Sequence, residues 1–307
     1  MTPTLLGQFP PGSPEWHEAR ATRLGGSEIA AVLGLSPYES RFSLWHRKRS
    51  AIPPVADTPG MEVGRYVEAA VAQWFQDQHP EWLVQPTGTW VHSDRPWQLA
   101  NPDRLIFTPE SGEPFAILEV KYSLYGDGFG APGTDEIPVH YACQTRWYSD
   151  VFDGLPVFVA GLIGGRFAEW RIDHDDADAN LMRDAGRAFL DSVESGDRPD
   201  LDDSYATLLT LRQLHPDILS GNVDMPAGLR DEYAAAVAAY KAAKTVKDYA
   251  TSKVLDALGA YRSATCGGRR FAYRTARPNN DGTPGTPYLA TDWRAINQAN
   301  THGGTAA

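Results

Sequence analysis

The spacing of apolar residues changes in the middle of the chain, and this change restricts the fold more than any other feature. From residue 60 to residue 78, apolar side chains recur every three or four positions, which predicts an amphipathic helix. From Leu83 to Tyr122, three runs rich in β-branched and aromatic residues are separated by Gly, Pro and Asp, which predicts an antiparallel meander of strands. An all-helical or all-β chain is therefore excluded, and an α/β (α+β) fold is expected.

Caps, periodicity and breakers predict further elements on either side of this centre. Before it, short helices are expected at Pro14 to Ala21, directly after Gly25 and Gly26 with Ser27 as the N-cap, and at Ser43 to Arg49. After it, the sequence predicts a helix over 138–152, a strand pair at 156–163 and 167–172, an acidic helix over 175–195, an Ala-rich helix over 229–258 and a hairpin over 261–275.

Net charge and its distribution point in different directions. The 307 residues carry a formal charge of −11, which taken as one number argues against nucleic acid or an anionic membrane as partner. Residues 173–203 alone contain eleven acids and three bases, whereas residues 261–277 contain five arginines and no acid. A basic face is therefore compatible with the total, although an ordinary solvated surface is the more common explanation of such clusters.

Three features predict a cytoplasmic protein. The apolar runs are far shorter than the ~20 residues that span a bilayer. The N-terminal residues lack the basic start and apolar core of a secretory signal. The two cysteines, Cys143 and Cys266, suit a reducing compartment and are too few for an iron–sulfur cluster or a four-cysteine zinc site.

Charged residues that could perform chemistry are concentrated on two neighbouring strands. Asp103 follows the break Asn101–Pro102, and sixteen residues later Glu119 and Lys121 stand two apart, on one face of a mostly apolar strand. Aspartate and glutamate oxygens can hold a hard divalent cation, and a lysine beside them can position water or stabilise charge on a phosphate. From these three side chains alone, a cross-strand salt bridge on an exposed sheet face is an equal alternative.

Five ordered motifs together resemble the YqaJ family of phage recombination exonucleases, which are lambda-exonuclease-like members of the PD-(D/E)XK nuclease superfamily. They are RATRLGGSEIAAVLGLSPY (20–38), EVGRYVEAA (62–70), NPD (101–103), EVK (119–121) and IPVHYACQTRWYSDVF (137–152). The resemblance spans residues 14 to about 172 and implies a restriction-endonuclease-like core, in which helices flank a central mixed β-sheet.

The resemblance assigns a role to each matching residue of the metal site. It implies that Asp103 and Glu119 bind metal with the backbone carbonyl of Val120, and that Lys121 activates or positions the attacking water. Glu68 would complete the acidic site as a catalytic residue and a ligand for a second metal, although an ordinary exposed helix glutamate is the alternative. The implied cofactor is Mg²⁺, with Mn²⁺ able to replace it, in a two-ion site.

Three more residues match motifs that contact water or substrate. Gln144 would orient water or substrate; a polar residue on an exposed helix surface is the equal alternative. Arg20 and Ser27 would bind the terminal 5′-phosphate, for which an arginine fork and a hydroxyl at a helix N-terminus are chemically suited. Simple N-capping is the alternative for Ser27, and both can hold at once.

The resemblance implies a Mg²⁺-dependent 5′–3′ exonuclease that degrades one strand of double-stranded DNA from its ends and leaves 3′ single-stranded overhangs. A single-strand annealing recombinase is the implied partner, a ring-shaped homotrimer the implied assembly, and a phage or prophage gene in a bacterial host the implied origin. The alternatives are a PD-(D/E)XK endonuclease or repair nuclease of other polarity, and a non-catalytic module that binds DNA ends.

These expectations divide the chain into four segments. Residues 1–13 are predicted to be a flexible arm, and residues 14–203 the nuclease core. Residues 204–277 are predicted to form a C-terminal helical extension with a hairpin, and residues 278–307 a tail without fixed structure.

Overall fold

A computed structural model describes residues 3–54, 58–279, 281–292 and 296. The chain forms two compact units that divide between Ile218 and Leu219. In the first unit the helices are Pro14–Ala21 (α1), Gly26–Val32 (α2), Arg41–Lys48 (α3), Pro59–Gln78 (α4), Val139–Val151 (α5), Asp176–Ser195 (α6) and Tyr205–Leu214 (α7). Its strands are Thr4–Gly7 (β1), Leu24–Gly25 (β2), Leu83–Pro86 (β3), Thr89–Val91 (β4), Gln98–Ala100 (β5), Arg104–Phe107 (β6), Ala116–Ser123 (β7), Val157–Ile163 (β8) and Arg166–Ile172 (β9).

The central sheet has the strand order β3-β6-β7-β8-β9. Strands β7 and β8 are parallel and are joined through helix α5, and the other neighbours are antiparallel. One face of the sheet packs against α4, where Val71 and Phe75 meet Ile106. The other face packs against α5, where Trp147 contacts a cluster that includes Ile117. The α/β fold with a central mixed sheet flanked by helices is therefore confirmed.

The predicted single meander over 83–122 is wrong, because its strands belong to two sheets. Strands β3, β6 and β7 lie in the central sheet, whereas β4 and β5 lie in a second sheet of order β1-β4-β5-β2. The chain passes from one sheet to the other between β5 and β6 at Pro102, which has no N–H to continue a ladder. This break leaves Asp103 directly before the first residue of β6, as the sequence indicated.

The predicted segment boundaries differ from the structure at both ends of the core. Residues 4–7 of the expected flexible arm form β1, which pairs with β4. The core also extends beyond residue 203, because α7 packs on α3 through buried hydroxyl pairs. Thr207 Oγ1 lies 2.7 Å from Ser40 Oγ, and Thr210 Oγ1 lies 2.8 Å from Ser43 Oγ. Hydroxyl packing of this kind gives no hydrophobic pattern in the sequence.

The second unit contains the long helix Ala227–Leu258 (α8) and the strands Ser263–Cys266 (β10), Arg269–Thr275 (β11) and Tyr288–Thr291 (β12). The helix and the β10–β11 hairpin were both predicted. Strand β12 pairs with β11, so part of the predicted tail 278–307 is folded. Residues 280, 293–295 and 297–307 of that tail lie outside the described residues. Among the described residues, no helix combines the length and apolar character needed to cross a bilayer.

Candidate active site

Asp103 and Val120 meet where β6 and β7 begin to separate. Asp103 Oδ2 accepts a 2.7 Å hydrogen bond from the Val120 amide. Since the N–H and C=O of one strand residue point to the same side, the Val120 carbonyl faces the same edge as Asp103. The sheet therefore places one carboxylate and one backbone carbonyl together, as expected for two of the candidate metal ligands.

Glu119, Lys121 and Gln144 form a triangle of hydrogen bonds. Lys121 Nζ lies 2.5 Å from Glu119 Oε1 and 3.0 Å from Gln144 Oε1. Gln144 Nε2 donates to Glu119 Oε1 over 2.6 Å. The equal alternative for Gln144, an exposed polar residue, is wrong, because Gln144 is buried on the face of α5 that contacts β7.

The electrostatics of this group favour a further positive charge. Burial raises the pKa of Asp103 well above its usual range, and Glu119 raises it further against the opposing effect of Lys121. Burial likewise raises the pKa of Glu119, although Lys121 opposes the shift. Burial alone would lower the pKa of Lys121, but Glu119 and Asp103 outweigh it and raise that pKa, so the ammonium stays charged. Two carboxylates thus share one cation in a poorly solvated space.

Tyr148 holds Gln144 in place, and the sequence analysis did not select it. Its hydroxyl accepts from Gln144 Nε2 over 3.0 Å and donates to the Asn101 carbonyl over 3.0 Å. Burial, with the nearby Glu119 charge, raises the pKa of Tyr148 well above its usual range, so the phenol remains a donor. The signal in the sequence is the spacing of four residues between Gln144 and Tyr148, which places both on one face of α5.

Glu68 lies at the edge of the group rather than within it. Arg104 Nη1, which the sequence analysis did not select, lies 2.7 Å from Glu68 Oε1 and also donates to the Asp103 carbonyl. The Glu68 charge contributes to the raised pKa values of Asp103 and Glu119, so its carboxylate is close to both. Coordination of a metal by Glu68 would require this ion pair to loosen.

Arg20 and Ser27 also come together, as the sequence predicted. Arg20 Nη2 lies 3.1 Å from Ser27 Oγ and 3.2 Å from Glu28 Oε1, and the guanidinium stacks 4.5 Å from the centre of the Trp16 ring. Ser27 is not the N-cap of α2, contrary to the prediction. Gly25 occupies that position, and its N–H is satisfied by Glu28 Oε2 at 2.9 Å.

Glu28 organises three cations around a pocket of about 680 Å³. Lys48 Nζ lies 2.9 Å from Glu28 Oε2, and Arg47 Nη1 lies 3.5 Å from Glu28 Oε1. Burial would raise the pKa of Glu28, but Arg20, Lys48 and Arg47 together hold it far below its usual range. Glu18 also lines the pocket, and Glu39 pairs with Arg47, so three carboxylates balance the three cations.

The basic residues 47–49 are largely occupied by contacts within the protein. The Lys48 side chain is only 4% exposed and also donates to the carbonyls of Arg20 and Arg23. Arg49 stacks on Trp45 and donates to the Val193 carbonyl. Lys48 therefore supports the pocket from behind, and Arg20 is the cation beside the exposed Ser27 hydroxyl.

The oxygen donors of Asp103, Glu119 and Val120 fit a hard divalent cation. Glu119 Oε2 is buried and has no hydrogen-bond partner among the described residues. Together with Asp103 and the Val120 carbonyl it supplies oxygen donors only, which Mg²⁺ prefers. In the described part of the chain, no three His, Cys, Asp or Glu side chains already form a metal-binding cluster. The fit therefore rests on two carboxylates and a carbonyl.

One carboxylate directly before a strand and a second on the neighbouring strand, with a lysine two residues after the second, is the pattern of PD-(D/E)XK-type α/β proteins. Residues 15–151 match the model of the YqaJ-like viral recombinase domain, which confirms the resemblance to this family. The protein YqaJ of Bacillus subtilis, which is uncharacterized, is 29% identical over 224 residues, covering 71% of this chain and 68% of that protein.

Solved structures of exonucleases are similar to this chain over part of its length. The alkaline exonuclease LHK-Exo of Laribacter hongkongensis is 17% identical, with a TM-score of 0.47, and the match covers 60% of this chain and 94% of that chain. The structure of LHK-Exo in complex with dAMP has the same coverage, an identity of 18% and a TM-score of 0.49. A phage-related exonuclease of Haemophilus somnus is 10% identical, covers 57% of this chain and 96% of that chain, and gives 0.41.

Proposed function

We propose that this protein is a DNA exonuclease that hydrolyses one strand of a duplex from its 5′ end in the presence of Mg²⁺. The observation that carries the proposal is the buried Glu119 carboxylate, whose Oε1 is held by Lys121 and Gln144 while its Oε2 has no partner among the described residues. An ordinary salt bridge on a solvated sheet face would not leave a buried oxygen unsatisfied.

The bound Mg²⁺ would supply Lewis acidity at the scissile phosphate and lower the pKa of a water. Asp103, Glu119 and the Val120 carbonyl would hold it, with Mn²⁺ able to replace it and Glu68 available to a second ion once Arg104 moves. Lys121 Nζ, fixed between Glu119 and Gln144, would orient the attacking water and offset negative charge on the phosphate. Tyr148 keeps the Gln144 amide in the orientation this requires.

Recognition of the 5′ end would fall to Arg20 and Ser27. The Arg20 guanidinium is positioned by Glu28 and by stacking on Trp16, so a terminal phosphate would meet a preorganised fork beside a hydroxyl. Removal of nucleotides from the 5′ strand would leave a 3′ overhang. That product is the substrate of a single-strand annealing recombinase, which we propose as the partner, and a ring-shaped trimer around DNA would keep the enzyme on its substrate.

The test uses linear duplex DNA labelled at the 5′ end, with and without Mg²⁺. The wild type is expected to release 5′ nucleotides only with the metal, and Lys121→Ala to reduce the rate by roughly 100-fold or more, since a positioned catalytic group contributes at least that much. Lys241→Ala, an exposed lysine of α8 far along the chain from the site, is the matched control. Undiminished digestion by Lys121→Ala would overturn the role of Lys121.

Further substrates separate the proposal from its rivals. The proposed exonuclease prefers a 5′-phosphorylated end to a 5′-hydroxyl end, and Arg20→Ala abolishes that preference. Cleavage of closed circular duplex would indicate an endonuclease instead. Binding to DNA ends without Mg²⁺ and without any product would indicate a non-catalytic module.

A further inference from the structure

Helix α8 presents an apolar stripe that lies open over most of its length in the described part of the second unit. Leu229, Tyr233 and Tyr240 are 52%, 72% and 73% exposed. Leu258 lies on the same side of the helix, about five turns beyond Tyr240, and is buried near the end where β10 packs on α8. The stripe is thus a packing face that the hairpin covers at one end only.

The stripe follows a heptad repeat in which large and small residues alternate. Steps of four and three residues run from Leu229 to Ala257 without interruption. One position of the heptad is large or long, with Tyr233, Tyr240, Lys247 and Val254. The other position begins with Leu229 and is then always alanine, at residues 236, 243, 250 and 257. A heptad of this length predicts pairing with another helix rather than a solvated single helix.

Antiparallel pairing with an identical helix matches large residues to small ones. If Tyr240 of each helix packs on Ala243 of the other, Tyr233 faces Ala250 and Lys247 faces Ala236 in the same register. Tyr233, Tyr240 and Lys247 each then meet an alanine, as close packing of two helices requires, and Leu229 meets Val254 at either end of the pair. Parallel pairing in register would place Lys247 against Lys247 and leave Ala–Ala layers between Tyr–Tyr layers.

The flanking charges favour the same register. In the antiparallel pair, Glu232 of one helix lies opposite Lys253 of the other, on the edge of the stripe. The N-terminal half of α8 has Arg230 against two acids, whereas residues 241–258 carry four lysines against two acids. In an antiparallel pair, two-fold symmetry therefore places opposite charges together at both ends.

We propose that α8 is a self-association helix, which pairs antiparallel with α8 of a second copy of this chain around Tyr240 and Ala243. The occupant of the open stripe is thus a second copy. The proposal concerns assembly only and does not rest on the proposed nuclease activity.

The first experiment measures the number of chains per particle in the full-length protein, by sedimentation equilibrium over a wide concentration range. Ala243→Glu places a charge at the centre of the pair and is expected to halve the number of chains per particle, whether or not the first units also associate. Ala238→Glu is the matched control, because Ala238 lies on the opposite side of α8, and it should keep the wild-type number. Equal numbers for wild type and Ala243→Glu would overturn the proposal.

The second experiment identifies the occupant through a charge exchange. Glu232→Lys and Lys253→Glu each make both end pairs repulsive, so each alone is expected to weaken self-association roughly tenfold, about 1.4 kcal/mol. An equimolar mixture restores attraction at both ends and should recover wild-type association as mixed pairs, seen by native mass spectrometry. If α8 instead docked on the first unit of its own chain or paired in parallel, mixing would restore nothing, and the proposal would be refuted.

Discussion

Replacing Glu28 by glutamine tests whether one buried carboxylate holds the basic pocket together. Glu28 is 2% exposed and contacts Lys48, Arg20 and Arg47 at 2.9, 3.2 and 3.5 Å, as well as the Gly25 amide. Glutamine has nearly the same shape, so packing is retained. The charge is lost, however, and three cations remain close together, one of them nearly inaccessible to water.

Breaking a buried ion pair from one side costs about 3–5 kcal/mol, because the remaining charge is left uncompensated. For a folded unit of this size, each kcal/mol lowers the melting temperature by about 2–4 °C. We therefore expect Glu28→Gln to lower the melting temperature of the first unit by roughly 10 °C, measured by tryptophan fluorescence. Glu39→Gln is the matched control, because Glu39 pairs with Arg47 and its side chain is 15% exposed against 3% for Glu28, and it should lower the melting temperature much less.

The pH dependence fixes the physical cause. Because the pKa of Glu28 is lowered on folding, its charge stabilises the folded state above the usual carboxyl pKa of 4.5, and this contribution declines as pH falls toward the lowered value. The difference in melting temperature between wild type and Glu28→Gln should therefore be constant above about pH 5 and shrink below it. A difference under about 2 °C at pH 7 would refute the reasoning.

Three further predictions follow from single contacts. Tyr148→Phe should lower kcat roughly 10–100-fold with little change in KM, as loss of a group that orients a site residue does, whereas the exposed Tyr205→Phe should leave both unchanged; steady-state kinetics on linear duplex decide this. Gly26→Ala should destabilise the fold, because its Cβ would lie 2.5 Å from the Tyr148 ring, whereas Gly64→Ala, with open space in α4, should stabilise it by about 0.5–1 kcal/mol in urea denaturation. Thr210→Val should cost about 0.5–1.5 kcal/mol in the same assay, because the buried Ser43 hydroxyl loses one partner and keeps Ser40.

Local signals in the sequence were sufficient for most helices. Helix α4 begins with Thr58 as N-cap and Pro59 in the first turn, and α6 ends at Gly196, which has a φ of +86°. These preferences act within a few residues, so they are readable without the fold. The same holds for Glu119 and Lys121, whose spacing of two places them on one face of β7.

Contacts between distant segments could not be read in this way. Strand β1 exists because it pairs with β4, more than eighty residues later, and α7 belongs to the first unit through hydroxyl contacts with α3. Neither contact has an apolar pattern that would predict it. The same limit applied to Glu28, since a glutamate after a glycine pair is unremarkable in sequence and its burial is a property of the fold alone.

The acidic net charge is compatible with the phosphate site that we propose at Arg20 and Ser27. Much of the net charge of −11 belongs to residues 173–203, which include α6, a helix whose acids are mostly exposed. Exposed charges are screened within about 10 Å at ordinary salt, whereas Arg20, Arg47 and Lys48 act at short range in a partly desolvated pocket. The charge beside Ser27 is that of Arg20, whose Nη2 lies 3.1 Å from the Ser27 hydroxyl. Salt should weaken long-range approach of DNA more than the grip on a terminal phosphate, so the preference for 5′-phosphorylated ends should survive at salt concentrations that reduce total binding.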